Sequence, residues 1–417
     1  MAEQARAKVR FSRLGAQSQH PVIAQLMERA LANPDLLSLA AGFTDNALLP
    51  TPLIAETVKA LSADEVDPEW LQYGTSAGRP GLREAVLEWL RRSPGEALPE
   101  RTPEDVLITN GSQQALYLAV QSLCDPGDAF LVEQPSYFVF LELLQGLGVE
   151  PVGLPVDLDE AHDFLRRLNR LGHRVRVKGL YLQGYYANPT GLCMDASRKA
   201  ALADIFAQEG WHIPVVEDGA YRDLFFHAPY PASSVLSDAA WTDFPCLYLG
   251  TLTKPLATGL KTGYAVSNHN QWLEKLRNAK GHQDFGTANA NQAIVEHILR
   301  HDYYAPHLEA IRPRYARKCQ RLLDALERGG LRELGWRWEA PEGGLLVWLE
   351  GPTHLATGPE SDFCAACLEA GVLYVPGALC FATGEPDHCL RLSFGAIAED
   401  RIEEAVTRLC HVAAAFA

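Results

Sequence analysis

A mostly parallel α/β sheet covered by helices, with a smaller α+β unit attached, is the fold class this chain predicts. Two features of the sequence point there. Short apolar runs rich in β-branched and aromatic residues alternate with longer helical stretches through the middle of the chain, the pattern of buried strands joined by crossover helices. After about residue 300 the texture changes to one long helical stretch, followed by short strands mixed with helices. At 417 residues the chain is two or three ordinary domains long, ample for a large core.

The strand candidates are residues 106–109, 129–132, 179–182, 213–216 and 246–249. Helical stretches at 113–123, 196–209 and 271–280 lie between and after them. Residues 307–328 read as one helix, because Leu308, Ile311, Tyr315, Leu322 and Leu326 recur at roughly helical spacing among Arg and Glu. Beyond it, 345–349, 373–375 and 390–394 read as short strands accompanied by two helices, and the boundary between the units falls near residue 310. Trp336 and Trp338 alternate as in a strand and are read as packing. Cys364 and Cys367 have redox-motif spacing, but they sit in a helix-like segment with no second cysteine pair beside it, so they are read as buried core.

Composition narrows the function classes. Apolar residues at 47% and charged residues at 21% are ordinary for a globular protein, which sets aside collagen, disordered tails and membrane bundles. A net charge of −15 repels phosphate backbones, so no nucleic-acid partner is expected. The amino terminus has no apolar stretch of signal-peptide length and the chain has no apolar run of ~18 residues, so no membrane partner is expected either. Nine cysteines, an odd number, do not suit a secreted disulfide framework, and the expected location is cytoplasmic. The thirteen histidines show no metal-ligand spacing, so no metal is expected.

Ligands of open parallel sheets bind at the carboxyl ends of strands, so the residues that follow each strand candidate carry the information. After 106–109 comes Asn110-Gly111-Ser112-Gln113, a turn opening a helix, whose free N–H groups and hydroxyl suit a phosphate; an ordinary capped turn is the plainer alternative. After 129–132 comes Tyr137, an aromatic past a turn. After 179–182 come Asn188-Pro189-Thr190-Gly191, otherwise simply turn residues. Asp218 and Tyr221 follow 213–216; an acid ending an apolar strand needs a partner or a capping role. Thr251, Thr253 and Lys254 follow 246–249, then Gly259-Leu260-Lys261-Thr262-Gly263. A lysine buried at a strand end is a candidate amine nucleophile, although most single lysines only snorkel. Each signal is modest alone. Together, five consecutive strand ends supply a phosphate turn, an aromatic, an amide, an acid and a lysine.

That ordered set resembles the class I/II aminotransferases, the pyridoxal-phosphate enzymes of the aspartate-aminotransferase-like fold (fold type I), from about residue 12 to residue 409. The resemblance implies a seven-stranded, mostly parallel sheet sandwiched by helices in a large domain of residues 46–309. A small domain of residues 310–417 would be joined by the arm of residues 1–45. It implies pyridoxal 5′-phosphate as cofactor, with Lys254 forming the imine to its aldehyde and carrying the proton at Cα. Asp218 would pair with the pyridine nitrogen, Asn188 and Tyr221 with the phenolic oxygen, and Tyr137 would stack on the ring. Ser112, the Gln113 backbone, Thr251 and Lys261 would hold the phosphate, joined by Tyr73 from the other subunit of a homodimer, with Gly111 and Thr253 also at the cofactor. Arg391 would grip the substrate α-carboxylate, with Gly42 and Asn188 beside the substrate.

Some residues depart from the family pattern. Lys261 stands where arginine is usual and Thr251 and Thr253 stand where serines are. Threonine keeps the hydroxyl. Lysine keeps the charge but loses the planar fork, so a cofactor titration should show weaker binding than in Lys261→Arg. Ala41-Gly42-Phe43-Thr44 replaces a common Gly-Gly-x-Pro, and Gly219 stands where some relatives carry a second acid. The function implied is transfer of the α-amino group of an amino acid to a 2-oxo acid by a ping-pong cycle. The alternative is another fate of the same carbanion, β- or γ-elimination or a tailoring reaction. A cofactor-binding DNA regulator is disfavoured by the acidic balance and by a fold that starts within about 40 residues of Met1.

Overall fold

The computed structural model describes residues 9–17, 22, 28, 35–63, 66–98, 100–172 and 176–417. Its strands, in chain order, are β1 (Leu37–Ser38), β2 (Val106–Asn110), β3 (Ala129–Val132), β4 (Glu150–Gly153), β5 (Val177–Leu182) and β6 (Val215–Asp218). They continue with β7 (Cys246–Thr251), β8 (Thr262–Ser267), β9 (Leu346–Glu350), β10 (Val372–Leu373), β11 (Val375–Pro376) and β12 (Cys389–Ser393).

Seven of them form one sheet in the order β2-β8-β7-β6-β5-β3-β4. Only β8 runs against its neighbours, pairing antiparallel with both β2 and β7. The other pairings are parallel, as the apolar runs required. β3, β6 and β7 are buried along their whole length, and separate clusters of buried side chains surround the sheet. All five strand candidates of this sheet form. The strand expected at 213–216 begins two residues later, because Pro214 has no N–H to give the ladder; its carbonyl accepts Leu180 N at 2.9 Å instead. Two strands lacked a sequence signal. β4 is an edge strand reading Glu-Pro-Val-Gly with no buried residue, and β8 (Thr-Gly-Tyr-Ala-Val-Ser) follows the lysine motif as a return strand.

The long helix runs Tyr304–Arg328 and buries the five residues that predicted it, with Pro313 inside. The expected strands near 345–349 and 390–394 form β9 and β12, which pair in a three-stranded sheet of order β11-β12-β9. The segment expected at 373–375 is divided between two sheets, since β10 pairs in parallel with β1 and β11 pairs with β12. Through β1 the chain preceding residue 39 meets the last fifty residues. Trp336 and Trp338 lie outside any strand, Arg337 alone bridging to Glu350, yet both are buried as packing residues. Cys364 and Cys367 are buried in the helix Asp362–Glu369. No described helix is long and apolar enough to cross a membrane. Among the described residues no group of three or more His, Cys, Asp or Glu could hold a metal ion.

Candidate active site

The carboxyl ends of β5, β6 and β7 open into a cleft. Gly111, Ser112, Gln113, Tyr137, Asn188, Asp218, Tyr221, Thr251, Thr253, Lys254 and Lys261 all line it. Segments far apart in sequence thus meet as the strand-end reading required.

One end of the cleft is built for an anion. The helix Gly111–Leu123 begins there, so the first N–H groups and the positive end of its dipole face the space. Gly111 has φ 67°, a left-handed turn that glycine adopts without strain. Gly263 of β8 is also required. A Cβ there would lie 2.5 Å from the Gly111 carbonyl carbon and 2.7 Å from Ser112 N. Thr251 Oγ1 accepts Thr253 N at 3.0 Å and lies 3.3 Å from the Thr262 carbonyl, to which it donates. Lys261 adopts φ 53° and remains exposed at the rim.

The other end holds the ionisable groups. Asp218, the last residue of β6, is 7% exposed. Its oxygens accept Ala220 N and the Tyr181 hydroxyl, each at 3.0 Å. Burial pushes its carboxyl up to about 6, and those two bonds, which pull the other way, do not offset it. Its neighbour Glu217 points to the opposite face, where buried Lys199 pairs with it at 2.6 Å. Strand alternation therefore gives one acid a cation and leaves the other with neutral donors. The Lys254 amine is pulled down to about 8 by burial and by the positive Arg391 and Lys261; it donates to the Gly42 carbonyl. Burial raises the Tyr221 hydroxyl to about 12, and that hydroxyl is hydrogen-bonded to the Asn188 side chain.

Arg391 and Gly42 do not line the cleft themselves but bond to residues that do, Arg391 to Asn188 and the Gly42 carbonyl to Lys254. Arg391 sits on the central strand of the smaller sheet, 2% exposed. It donates from Nη1 to Asn188 Oδ1 at 3.1 Å and from Nη2 to the Ala40 carbonyl at 2.6 Å, while buried Nε has no partner among the described residues. Among the described residues it has no carboxylate partner. The surface ion pair that is the ordinary lot of an arginine does not apply. Tyr73 lies outside this chain's cleft, 92% exposed.

The sequence profile of the family described as aminotransferase class I and II matches residues 34–409. The chain belongs to the class I and II aminotransferases. This aminotransferase is 35% identical over 378 residues to the 2-aminoadipate transaminase of Thermus thermophilus, covering 90% of this chain and 89% of that one. It is 31% identical to aromatic-amino-acid aminotransferase 1 of Thermococcus litoralis, covering 90% and 87%. The solved alpha-aminoadipate aminotransferase of Thermus thermophilus, complexed with N-(5′-phosphopyridoxyl)-L-leucine, superposes with a TM-score of 0.82 at 32% identity and 97% coverage of both chains.

The cofactor of the family is pyridoxal 5′-phosphate, and the aminotransferase's own residues fit it. The helix start takes an anion. Asp218, buried among neutral donors, suits a protonated ring nitrogen. The orphaned Nε of Arg391 suits a carboxylate. Four cleft residues were absent from the predicted site: Asn110, Gln183, Tyr185 and Ala220. Gln183 matters most, since its amide clamps Asn188 from both sides, donating to its carbonyl at 2.8 Å and accepting its N–H at 2.9 Å. Its signal was available, as the first polar residue after an apolar strand.

Proposed function

We propose that this cleft passes the α-amino group of an amino acid to pyridoxal 5′-phosphate and then to a 2-oxo acid in a ping-pong cycle. The observation that carries the reading is a buried acid without a cationic partner facing the same cleft as a lysine whose amine is lowered to about 8. The relatives named for 2-aminoadipate and aromatic amino acids support an amino acid as donor. When bound, the cofactor supplies an aldehyde that takes up nitrogen and a protonated ring that withdraws electrons from the bonds at Cα.

The chain's residues do the rest. Gly111, Ser112, Gln113, Thr251, Thr253 and Lys261 hold the phosphate. Asp218 would keep the ring nitrogen protonated, Asn188 and Tyr221 would hold the phenolic oxygen, and Tyr137 would stack on the ring. Arg391 binds the substrate carboxylate, exchanging its present bond to the Ala40 carbonyl for that ligand. Lys254 would anchor the cofactor and carry the proton at Cα, and the Gly42 carbonyl, which accepts its amine here, would hold its ammonium. Tyr73 reaches the partner's phosphate in a homodimer, which its exposure supports. A large unit of residues 46–309, with 310–417 and the arm 1–45 as the small unit, suits the pairing of β1 with β10. Nine cysteines outside any disulfide suit the reducing cytoplasm.

Cofactor-loaded protein mixed with a panel of amino acids, without any oxo acid, should convert to the spectrum of the aminated cofactor. A 2-oxo acid should reverse it. Borohydride reduction and peptide mapping should then place the cofactor on Lys254. Label at another residue, or release of ammonia or thiol in place of the spectral half-reaction, would overturn the reading.

A further inference from the structure

Asp284 closes the helix Asn270–Asp284, at the end where the helix dipole disfavours an acid. It is nevertheless bonded at both oxygens. Oδ2 accepts Lys280 Nζ at 2.6 Å, Asn110 Nδ2 at 2.8 Å and Gln114 Nε2 at 2.7 Å, and Oδ1 accepts Gly286 N at 2.8 Å. The Lys280 side chain is 0% exposed, so the acid comes with a buried cation of its own. A lone carboxylate near an anion site would repel the anion. This one is neutralised.

Asn110 is where the network meets the cleft. It ends β2 and caps the helix Gly111–Leu123, the helix whose start lines the anion end of the site. An asparagine in that place ordinarily turns its side-chain oxygen onto the N–H groups of the first turn. Asn110 makes no such bond. Its side-chain nitrogen is drawn to Asp284, and its backbone N–H is taken by Gln114 Oε1 at 2.9 Å. A side chain well suited to occupy the helix start is held away from it.

We propose that Asp284, neutralised by Lys280, is a positioning residue that holds Asn110 off the helix start and so leaves the N–H groups there free for the cofactor phosphate. Asp284 acts through Asn110 and Gln114 and touches no reacting atom. The inference rests on the reading of the cleft as the pyridoxal-phosphate site.

The test uses full-length protein stripped of cofactor and titrated with pyridoxal 5′-phosphate and, separately, with pyridoxal, which lacks the phosphate. The variant Asp284→Asn with Lys280→Met removes both charges together, so that no buried ion is left unpaired. Its affinity for pyridoxal 5′-phosphate should fall roughly tenfold, the scale of a lost charge-assisted hydrogen bond, with its affinity for pyridoxal unchanged. Adding Asn110→Ala should restore the loss, because no side chain then remains to fall back onto the helix start. Asp284→Asn alone should show the same order with a smaller loss, and serves if the double variant does not fold. An equal loss for both ligands, unchanged affinity for both, or no recovery with Asn110→Ala would overturn the proposal. A wild-type protein that takes up neither ligand would instead overturn the reading of the cleft.

Discussion

At the scale of single residues, the site spends stability on charge. Asp218 holds its proton up to about 6, against about 3.9 in an unfolded chain. The folded state therefore binds the proton more tightly. Its contribution to stability is full below about pH 4 and is lost as pH rises through about 6. Ionised and buried without a cation at pH 8, the group costs on the order of 2–3 kcal/mol in the cofactor-free protein. Asp218→Asn should thus melt at a higher temperature than wild type when both are cofactor-free at pH 8. The gap should close towards pH 4, and transamination should be lost throughout. Calorimetry across that range decides it; an asparagine variant that is less stable at pH 8 would contradict the account.

At the scale of elements, the return strand β8 does more than widen the sheet. Its pairing sets Gly263 opposite both Thr109 and Thr251, so the turn after β2 and the turn after β7 meet at one end of the cleft. Backbone fills the space where a side chain would go. Gly263→Ala should push Gly111 and Ser112 out of place, lowering cofactor affinity and costing about 1–3 kcal/mol of stability, the usual scale of overpacking. Cofactor titration alongside chemical denaturation checks both effects, and an alanine variant with wild-type affinity would show that the turn can yield. The apolar strands were legible because burial on both faces forces continuous runs of Val, Leu and aromatic residues. β4 was not, since an edge strand needs no such run. β8 carries glycine, threonine and serine within six residues, and only its partners make it a strand.

At the scale of the whole molecule, Leu71, Tyr73 and Phe285 are among the exposed apolar side chains, at 67%, 92% and 75% exposure. The turn bearing Phe285 packs on the segment that follows Tyr73; a Cβ at Gly286 would lie 2.7 Å from the Thr75 carbonyl. Apolar side chains this open suit contact with a second copy. The protein should sediment at twice the chain mass, and Leu71→Asp should shift it towards monomer with a matching loss of cofactor affinity. A monomer that holds pyridoxal 5′-phosphate as tightly as wild type would remove Tyr73 from the phosphate site.

The kinds of residue in the site, and their order along the chain, were determined by the sequence itself, because each strand of a parallel sheet must end at the same edge and the residue after it has nowhere else to go. Tertiary structure alone decided which of two adjacent acids goes without a cation. It did so because alternation along β6 turns Glu217 towards Lys199 and Asp218 towards the cleft, and the position of Lys199 in space cannot be read from its place in the chain. For the same reason Gln183, Asp284 and the orphaned nitrogen of Arg391 acquire meaning only through partners that folding brings to them.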